Sequence, residues 1–200
     1  MLMNIADEKA RIRTEIRRRR KLLSSKVLTK IDKKLPDFIA AIDDPELKSK
    51  LKKAKRVALY RAYNGEVPAD GLAGYFMDKG VTCCFPKIVN DEMIFVDCKS
   101  LSDDEFEVSS MGIKEPKSDA AVAPGDIDVV VLPALAYNEE GIRLGAGGGY
   151  YDRYFGNAGA AGAYLLGICY EFQICSDVPY DEKDIAADFI AVIPAEEYEE

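Results

Sequence analysis

The chain has 200 residues, of which 48% are hydrophobic, and its formal net charge is −8. This length and composition predict one compact domain, because such a chain can bury enough apolar surface to fold without disulfides or a structural metal. Histidine is absent, which excludes Ser-His-Asp and Cys-His nucleophilic sites and histidine-ligated metals. Any metal would therefore be held mainly by carboxylate oxygens, a ligand set that suits Mg²⁺.

Cysteine usage indicates a reducing compartment. There are five cysteines, Cys83 and Cys84 are adjacent, and no C-x-x-C pattern occurs. This pattern argues against a disulfide framework or a zinc site and predicts buried thiols in a cytoplasmic protein. Neither an 18-residue apolar span nor a secretory leader is found, so no association with a membrane is predicted.

The N-terminal segment is basic and amphipathic. Residues 1–21 carry eight Lys or Arg residues and three Asp or Glu residues. Apolar residues recur at the spacing of one helix face: Ile5, Ile12, Ile16, Leu22 and Leu23. The run from Arg17 to Lys21 is interpreted as a solvated helix face rather than a nucleic-acid patch. Lys9 and Arg13 lie four residues apart and project to one side, where a phosphate chain could lie across them. A basic amphipathic start is also typical of a transit peptide, but the acidic residues are not.

A second helix, a connector and a first strand follow. Ser24 or Ser25 is predicted to cap the helix, and Pro36 is predicted to bend or end it. A charged connector is predicted over residues 43–55. The apolar run 57–60 then predicts the first core strand.

The loop after this strand carries Arg61 and Glu66 and leads into a helix that begins near Pro68 and ends before Gly80. The strand–loop–helix order places Glu66 where ligands bind in α/β sheets. Taken alone, Glu66 would more readily be a helix cap or a partner of the helix dipole.

Two apolar runs, 81–87 and 93–96, predict a strand and a following strand or hairpin arm separated by Asn90 and Asp91. Lys87 is interpreted as a surface lysine. The segment 111–116 is interpreted mainly as a turn.

A glycine-rich loop is the most informative stretch. It follows the β-branched run 127–132, which has the length of a central strand. Its backbone is nearly free of side chains, so its N–H groups can approach a phosphate, and the aromatic residues that follow predict a helix whose N-terminus favours an anion. Arg143 adds a positive charge, and Asp152 offers an oxygen ligand for a divalent cation. The loop matches neither the Walker pattern nor the dinucleotide pattern.

The C-terminal part contains a small-residue linker at 158–163, a strand at 164–169 and a last strand that includes Ile190 and Val192. Asp184 precedes this last strand and, taken alone, would be a turn former. Residues 196–200 are predicted to form a frayed acidic tail.

The residues around the glycine loop resemble the signature of the 5-formyltetrahydrofolate cyclo-ligase family. The resemblance rests on the run 132–138, on Gly141 and on the run Arg143-Leu144-Gly145-Ala146-Gly147-Gly148-Gly149-Tyr150-Tyr151-Asp152. It extends more loosely from Lys9 to about Val192.

The alternation of strands and helices predicts an α/β fold with a mostly parallel sheet, and the family's fold agrees. We therefore expect one three-layer, Rossmann-like domain over residues 1–200. Helices within 5–40 are expected to pack on an α/β core at 55–193, followed by the acidic tail.

The resemblance also implies site residues. The expected ATP contacts are Lys9, Arg13, Arg143, Leu144, Gly145, Ala146, Gly147, Gly148, Gly149, Tyr150 and Tyr151. The expected folate contacts are Arg61, Glu66, Ala146, Gly147, Gly148, Gly149 and Tyr150. The expected Mg²⁺ ligands are Asp152 and Asp184.

The activity implied is the ATP- and Mg²⁺-dependent conversion of 5-formyltetrahydrofolate to 5,10-methenyltetrahydrofolate, with release of ADP and phosphate. A monomer is expected, with no nucleic-acid partner, because the body of the chain is acidic. The alternative is a non-catalytic nucleotide- or RNA-binding module that uses the basic N-terminal helix.

Overall fold

The computed structural model describes residues 4–158, 162–180 and 184–198. Within these ranges there are five α-helices: α1 Ile5–Arg20, α2 Ser25–Ala41, α3 Pro45–Lys53, α4 Asp70–Asp78 and α5 Tyr150–Ala158. The strands of the same ranges are β1 Arg56–Ala58, β2 Thr82–Val89, β3 Glu92–Cys98, β4 Phe106–Val108, β5 Lys114–Pro116, β6 Val129–Leu132, β7 Ala136–Tyr137, β8 Arg143–Leu144, β9 Tyr164–Tyr170 and β10 Phe189–Ile193.

The described strands form a central six-stranded sheet with the order β10-β9-β6-β1-β2-β3. All neighbours in this sheet are parallel except β2 and β3, which form an antiparallel pair at one edge. The prediction of an α/β fold with a mostly parallel sheet is confirmed. Since the carboxyl ends of parallel strands lie along one edge, the loops after β1 and β6 meet there.

Both faces of the sheet are covered by helices. Alternate residues of β6 enter different clusters, because successive side chains of a strand point to opposite faces. Val129 and Val131 pack in a cluster with residues of α2 and α4. Val130 and Leu132 pack in a second cluster that includes Phe155 of α5. This arrangement explains why the four residues of β6 are all apolar, because both faces of the strand are buried.

Helix α2 continues through Pro36 to Ala41, so the helix does not end at Pro36, one of the two predicted outcomes. Proline cannot donate to the carbonyl of Asp32 four residues earlier, and α4 packs closely on that carbonyl. A Cβ atom added to Gly71 would lie 2.2 Å from the Asp32 carbonyl oxygen. The Gly71 N–H also donates to the Asp32 carboxylate at 2.8 Å. Helix α4 therefore packs directly on α2 at the turn that contains Pro36.

The predicted connector at 43–55 is mostly helix α3, which corrects that prediction. The Asp44 carboxylate caps it by accepting from the Leu47 N–H at 2.7 Å, and Pro45 occupies the first turn. The Leu47 side chain is fully buried. An N-cap Asp followed by Pro is itself a helix-start signal, and a single buried leucine anchors this short helix to the core.

The β2–β3 hairpin is confirmed, with its turn at Asn90 and Asp91 in the left-handed region at φ 50° and 63°. The interpretation of Lys87 as a surface lysine is corrected. Its side chain is only 11% exposed, and its ammonium group lies 2.7 Å from the Asp119 carboxylate. The positive charge of Lys87 is balanced at this position, because the carboxylates of Asp119 and Glu107 both face its ammonium group.

The predicted frayed tail is wrong for Glu197 and Tyr198. The Glu197 carboxylate lies 3.0 Å from the ammonium groups of both Lys30 and Lys34. The Tyr198 ring is buried, with its centroid 5.2 Å from that of Tyr170. Residues 199–200 lie outside the described ranges, as do 159–161 of the predicted linker and 181–183. No helix in the described part of the chain combines the length and apolar character needed to cross a bilayer.

Candidate active site

A cavity of about 330 Å³ opens at the carboxyl ends of β1 and β6. Its walls come from α1, from the loops after β1 and β6, from the β2–β3 hairpin, from the segment around Met111 and from the glycine loop. Six of the seven predicted folate contacts line this cavity, namely Arg61, Glu66, Ala146, Gly148, Gly149 and Tyr150, whereas Gly147 does not. The structure therefore places Arg61 and Glu66 in the same cavity as the glycine loop, although the loop is far from them in the sequence.

A short hairpin, formed by β7 and β8, directly precedes the glycine loop. Strands β7 and β8 intervene between β6 and the loop, whereas the sequence predicted that β6 would lead into it directly. The Leu135 N–H donates to the Leu144 carbonyl at 2.8 Å and closes the hairpin. The Leu144 side chain is buried against Ile12 and Ile16 of α1. Leu144 thus anchors the loop to the core and does not present its side chain to a ligand.

Three arginines hold the carbonyl groups of the loop. Arg13 Nε donates to the Gly145 carbonyl at 3.0 Å, and Arg17 Nη2 donates to the Ala146 carbonyl at 2.9 Å. Arg153 Nη1 donates to the Gly148 carbonyl at 2.8 Å. These bonds fix the loop between α1 and α5 in a strongly positive environment, which favours an anionic ligand.

The loop runs into the N-terminus of α5, as predicted. The Arg153 N–H donates to the Gly149 carbonyl at 2.9 Å, which forms the first turn. Gly147 and Gly149 have φ values of 113° and 65°, a region that side chains strongly disfavour. The glycines are therefore required by backbone geometry, and the orphan N–H groups of the helix start lie beside them.

Arg143 and Asp152 form an ion pair at this helix start, with 2.5 Å between Nη2 and Oδ1. The Arg143 side chain is 4% exposed, and its Nη1 donates to the Pro133 carbonyl at the end of β6 at 3.2 Å. Its Cζ also lies 5.6 Å from the centre of the Tyr151 ring. The predicted nucleotide residue and the predicted metal ligand are therefore in direct contact.

Asp184 lies next to this pair. The N–H of Ile185, the following residue, donates to Asp152 Oδ1 at 3.4 Å. The Lys9 ammonium group lies 2.7 Å from Asp184 Oδ2. Two carboxylates and two cations from four parts of the chain thus converge at the mouth of the glycine loop.

The donor set at this point fits a partly hydrated Mg²⁺. Two carboxylates supply hard oxygen ligands, and nucleotide phosphates and water would complete such a shell. No group of three or more His, Cys, Asp or Glu residues that could enclose a metal ion occurs among the described residues.

Glu66 does not cap helix α4, the role that it would more readily have been given without the family resemblance. Helix α4 has Ala69 at its N-cap, without a side-chain hydrogen bond. Glu66 Oε2 accepts from the Tyr63 N–H at 3.1 Å within its own turn. Burial raises the pKa of the Glu66 carboxyl above its usual value, and Arg20 and the Tyr63 N–H oppose this shift.

Arg61 lines the cavity, but its guanidinium group already has partners. Nη2 lies 3.1 Å from the Asp70 carboxylate, and Nη1 donates to the Leu101 carbonyl at 3.3 Å. Its Cζ stacks 4.4 Å above the centre of the Phe106 ring. These contacts hold Arg61 in the wall of the cavity and restrict how it could approach a substrate.

Sequence reasoning missed Arg20. It was assigned to a solvated face, but it is 5% exposed, lines the cavity and donates to the Ala134 carbonyl through Nη2. Arg20 falls four and eight residues after the buried Ile16 and Ile12, a spacing that places it on the buried helix face. That spacing was the available signal. Arg18 and Arg19 do follow the prediction, since both are exposed and pair with Glu15.

Two further cavity residues were also missed. Arg17, in the same run, is exposed and reaches the loop and the cavity. Glu115 is a buried carboxylate in the cavity wall, and it accepts from the Ile88 N–H at 3.4 Å. No local sequence pattern predicts the position of either residue in the cavity, because that position depends on which distant segments pack together.

Comparison with known proteins identifies the family. A sequence profile described as the 5-formyltetrahydrofolate cyclo-ligase family matches residues 5–193. A 5-formyltetrahydrofolate cyclo-ligase of Mycoplasma genitalium is 30% identical over 163 residues, which cover 80% of this chain and 81% of the relative.

Solved structures agree. The chain is similar to a 5,10-methenyltetrahydrofolate synthetase from Aquifex aeolicus, with a TM-score of 0.75 and 30% identity over 92% of this chain and 89% of that one. It is also similar to the synthetase from Mycoplasma pneumoniae, with a TM-score of 0.69 and 26% identity over 92% of this chain and 97% of that one. The glycine loop and its carboxylates thus lie in an enzyme fold, and the chain belongs to the 5-formyltetrahydrofolate cyclo-ligase family.

Proposed function

We propose that the chain converts 5-formyltetrahydrofolate to 5,10-methenyltetrahydrofolate in a reaction that requires ATP and Mg²⁺ and releases ADP and phosphate. One observation carries the proposal. The pairs Arg143–Asp152 and Lys9–Asp184 meet where the glycine loop enters α5, beside the cavity that contains Glu66. A phosphate-binding turn, two cation ligands and a cavity for an organic substrate thus share one location.

The reaction chemistry suits these residue types. The oxygen of a formyl amide is a poor leaving group, and transfer of the γ-phosphoryl group of ATP to it creates a good one. The N10 amine of the folate then attacks the formyl carbon and loses its proton, and phosphate departs with the former formyl oxygen. Such a sequence needs a protein that positions both substrates and neutralises charge, and it needs no protein nucleophile. This agrees with a chain that has no histidine.

The nucleotide end of the site is assigned to Lys9, Arg13, Arg143 and the N–H groups of the loop 145–149. Arg13 and Arg143 are held by the Gly145 and Pro133 carbonyls, so their charges are fixed before a nucleotide binds. Pre-positioned cations and helix N–H groups bind phosphate without a large loss of side-chain entropy. Tyr150 and Tyr151 form the adjacent aromatic wall.

Asp152 and Asp184 would hold Mg²⁺. When bound, this ion would offset the negative charge of the phosphate chain. The chain's own contribution is to keep both carboxylates in place, through Arg143 and the Ile185 N–H for Asp152 and through Lys9 for Asp184.

The folate end of the site is assigned to Arg61, Glu66, Tyr150 and the backbone of residues 146–149. The wall between them is apolar, with Ile88, Met93 and Ile113 contributing side chains. An apolar cleft with a few polar groups is the usual form of a site for a flat organic ligand. Glu66 supplies a carboxylate for the N–H donors of the pterin ring.

We further propose that the protein works as a monomer in the cytoplasm. The cavity and both carboxylates come from one chain, and all five cysteines are unpaired, which suits a reducing compartment. The contacts of α1 do not favour the nucleic-acid-binding alternative. Most of its cations bind backbone carbonyls or carboxylates of the same chain, as with Arg17 and Ala146 or Arg18 and Glu15.

The test is a turnover assay. Protein, ATP, Mg²⁺ and 5-formyltetrahydrofolate are mixed, and the absorbance of 5,10-methenyltetrahydrofolate is followed while ADP is measured. We expect one ADP for each product molecule and no absorbance rise when ATP or Mg²⁺ is omitted. ATP binding without turnover in the complete mixture would contradict the proposal and favour a non-catalytic nucleotide-binding module.

A further inference from the structure

Arg20 is a buried cation at the folate end of the cavity. Nη2 donates to the Ala134 carbonyl, and Nη1 lies 3.7 Å from Glu66 Oε1. Its Nε is buried and has no hydrogen-bond partner in the described part of the chain. A guanidinium group removed from water destabilises a protein unless its charge is balanced. An apolar residue would pack more favourably beside Ile12 and Ile16, so the presence of arginine here requires another explanation.

Arg20 and Arg143 form a matched pair. They are 5% and 4% exposed, and they donate to the carbonyls of the consecutive residues Ala134 and Pro133 at the end of β6. Each also faces one carboxylate, Glu66 for Arg20 and Asp152 for Arg143. The cavity thus has one fixed guanidinium–carboxylate pair at its nucleotide end and a second at its folate end.

The position of Arg20 is fixed by more than one contact. The Ala134 carbonyl that accepts from Arg20 also accepts from Gln173 Nε2 at 2.9 Å. Gln173 is fully buried, and its Oε1 accepts from the Tyr170 N–H at 3.0 Å. The guanidinium group is therefore attached to the ends of β6 and β9 and cannot readily turn away from Glu66.

Glu66 is surrounded mainly by neutral groups. Arg20 faces it from α1, Tyr60 from the end of β1, Tyr151 from α5 and Tyr170 from β9. Burial raises the pKa of all three phenols above the usual value, so they stay uncharged near neutral pH. Within the described residues, Arg20 is therefore the cation that balances Glu66.

The charge of Glu66 decides what it can bind. An ionised carboxylate only accepts hydrogen bonds, whereas the protonated acid also donates one. The amino group and the ring N–H of a pterin are donors. In a buried site, desolvation favours the protonated acid, and a nearby cation opposes it.

We infer that Arg20 is a positioning residue that holds Glu66 as a carboxylate, ready to accept hydrogen bonds from the pterin N–H groups of the folate. The identity of the ligand rests on the proposed function. The charge state of Glu66 in the ligand-free protein does not.

The direct test is carboxyl ¹³C NMR of ligand-free protein labelled at the glutamate side chains. The Glu66 resonance is identified by its loss in Glu66→Gln. We expect a carboxylate at pH 7 in the wild type and, in Arg20→Met, a titration midpoint higher by at least about one pH unit. Arg20→Lys keeps the charge and should remain closer to the wild type. Arg18→Met removes an equal charge from an exposed position that pairs with Glu15 and should leave the midpoint unchanged.

A protonated Glu66 in the wild type at pH 7 would overturn the inference, and so would an unchanged midpoint in Arg20→Met. If Arg20→Met does not fold, Arg20→Gln takes its place. If neither neutral variant folds, the wild-type titration decides: a midpoint below pH 7 supports the inference, and one above it contradicts it.

A kinetic readout separates this inference from the proposed function. In Arg20→Met, the KM for 5-formyltetrahydrofolate should rise about tenfold at pH 7 for each pH unit by which the Glu66 midpoint exceeds 7, with kcat changing less. The rise should diminish as the pH increases and Glu66 ionises. Absence of turnover in the wild type would refute the proposed function but not the NMR result. Normal turnover with an unchanged Glu66 midpoint would refute this inference alone.

Discussion

The ammonium group of Lys9 lies 2.7 Å from the carboxylate of Asp184, although the two residues are 175 positions apart in the chain. Lys9 belongs to α1, and Asp184 precedes β10, so the contact joins the two ends of the fold at the candidate site. Both side chains are mostly shielded, with exposed fractions of 11% and 17%. An ion pair with little exposure is less screened by salt than a surface pair, so its loss should be measurable.

Replacing Lys9 by Met should weaken ATP binding. The variant loses a charge assigned to the phosphates and leaves Asp184 without its 2.7 Å contact. A charge-assisted hydrogen bond contributes about 1.5–3 kcal/mol, so we expect the KM for ATP to rise roughly 10- to 100-fold. Initial rates at varied ATP and saturating folate measure this. Arg11→Met, an exposed position on the same helix, is the control with the same change in charge. Equal KM values for the two variants would remove Lys9 from the nucleotide site.

Replacing Asp152 by Asn should affect both activity and stability. The amide is a poor Mg²⁺ ligand, so turnover should be abolished while the fold is retained. It also leaves Arg143, which is 4% exposed, facing a neutral partner. We expect a loss of about 2 kcal/mol in the free energy of unfolding, measured by urea titration.

Isothermal titration with Mg²⁺ and a non-hydrolysable ATP analogue distinguishes the two roles of Asp152. Loss of stability with unchanged Mg²⁺ dependence of nucleotide binding would leave Asp152 as only a structural partner of Arg143. Full activity would exclude it from the metal site.

A methyl group at Gly145 should disturb Arg143. A Cβ atom added there would lie 2.9 Å from Arg143 Nη1. The guanidinium group cannot move aside freely, because Pro133 and Asp152 hold it. Gly145→Ala should therefore raise the KM for ATP while the protein stays folded.

Gly156→Ala is the matched control for this variant. It lies in α5, and an added Cβ atom would meet nothing within 4 Å. The substitution should leave kinetics unchanged and stabilise the protein by about 0.5–1 kcal/mol, because alanine is the better helix former. If both substitutions raised the KM for ATP to a similar extent, the effect of Gly145→Ala would reflect a general sensitivity of this region and not a specific contact with Arg143.

Local sequence was sufficient where local chemistry determines structure. Strand β6, residues 129–132, is apolar throughout because both of its faces are buried, and the glycines at 147 and 149 adopt positive φ. The tight turn at Asn90 and Asp91 was predictable for the same reason. Glu66 could be placed at the cavity because strand–loop–helix order fixes which edge of the sheet it occupies.

Other features depend on contacts between distant segments. Pro36 remains within α2, and α4 packs on the Asp32 carbonyl, to which proline cannot donate. Arg20 is buried beside the segment that follows β6, where the carbonyl of Ala134, 114 positions later, offers an acceptor. Propensity and spacing do not reveal such partners. A sequence interpretation that treats every arginine as solvated will miss those that the fold encloses.

The C-terminal segment provides a last test of the same distinction. Tyr198 lies within the predicted acidic tail, yet its ring is buried, with its centroid 5.2 Å from that of Tyr170 and 5.6 Å from that of Phe172. Tyr198→Ala should lower the free energy of unfolding by about 2–4 kcal/mol, because it removes a buried aromatic ring and leaves a cavity. Tyr180→Ala removes the same side chain from a position that is 58% exposed and should change stability by no more than about 0.5 kcal/mol. The free energy of unfolding of both variants is measured by urea titration.

Equal values for the two variants would mean that the segment after β10 contributes little to stability, as the sequence had predicted. A selective loss in Tyr198→Ala would instead show that this ring supports Tyr170, whose hydroxyl donates to the Glu66 carbonyl at 3.4 Å in the cavity wall.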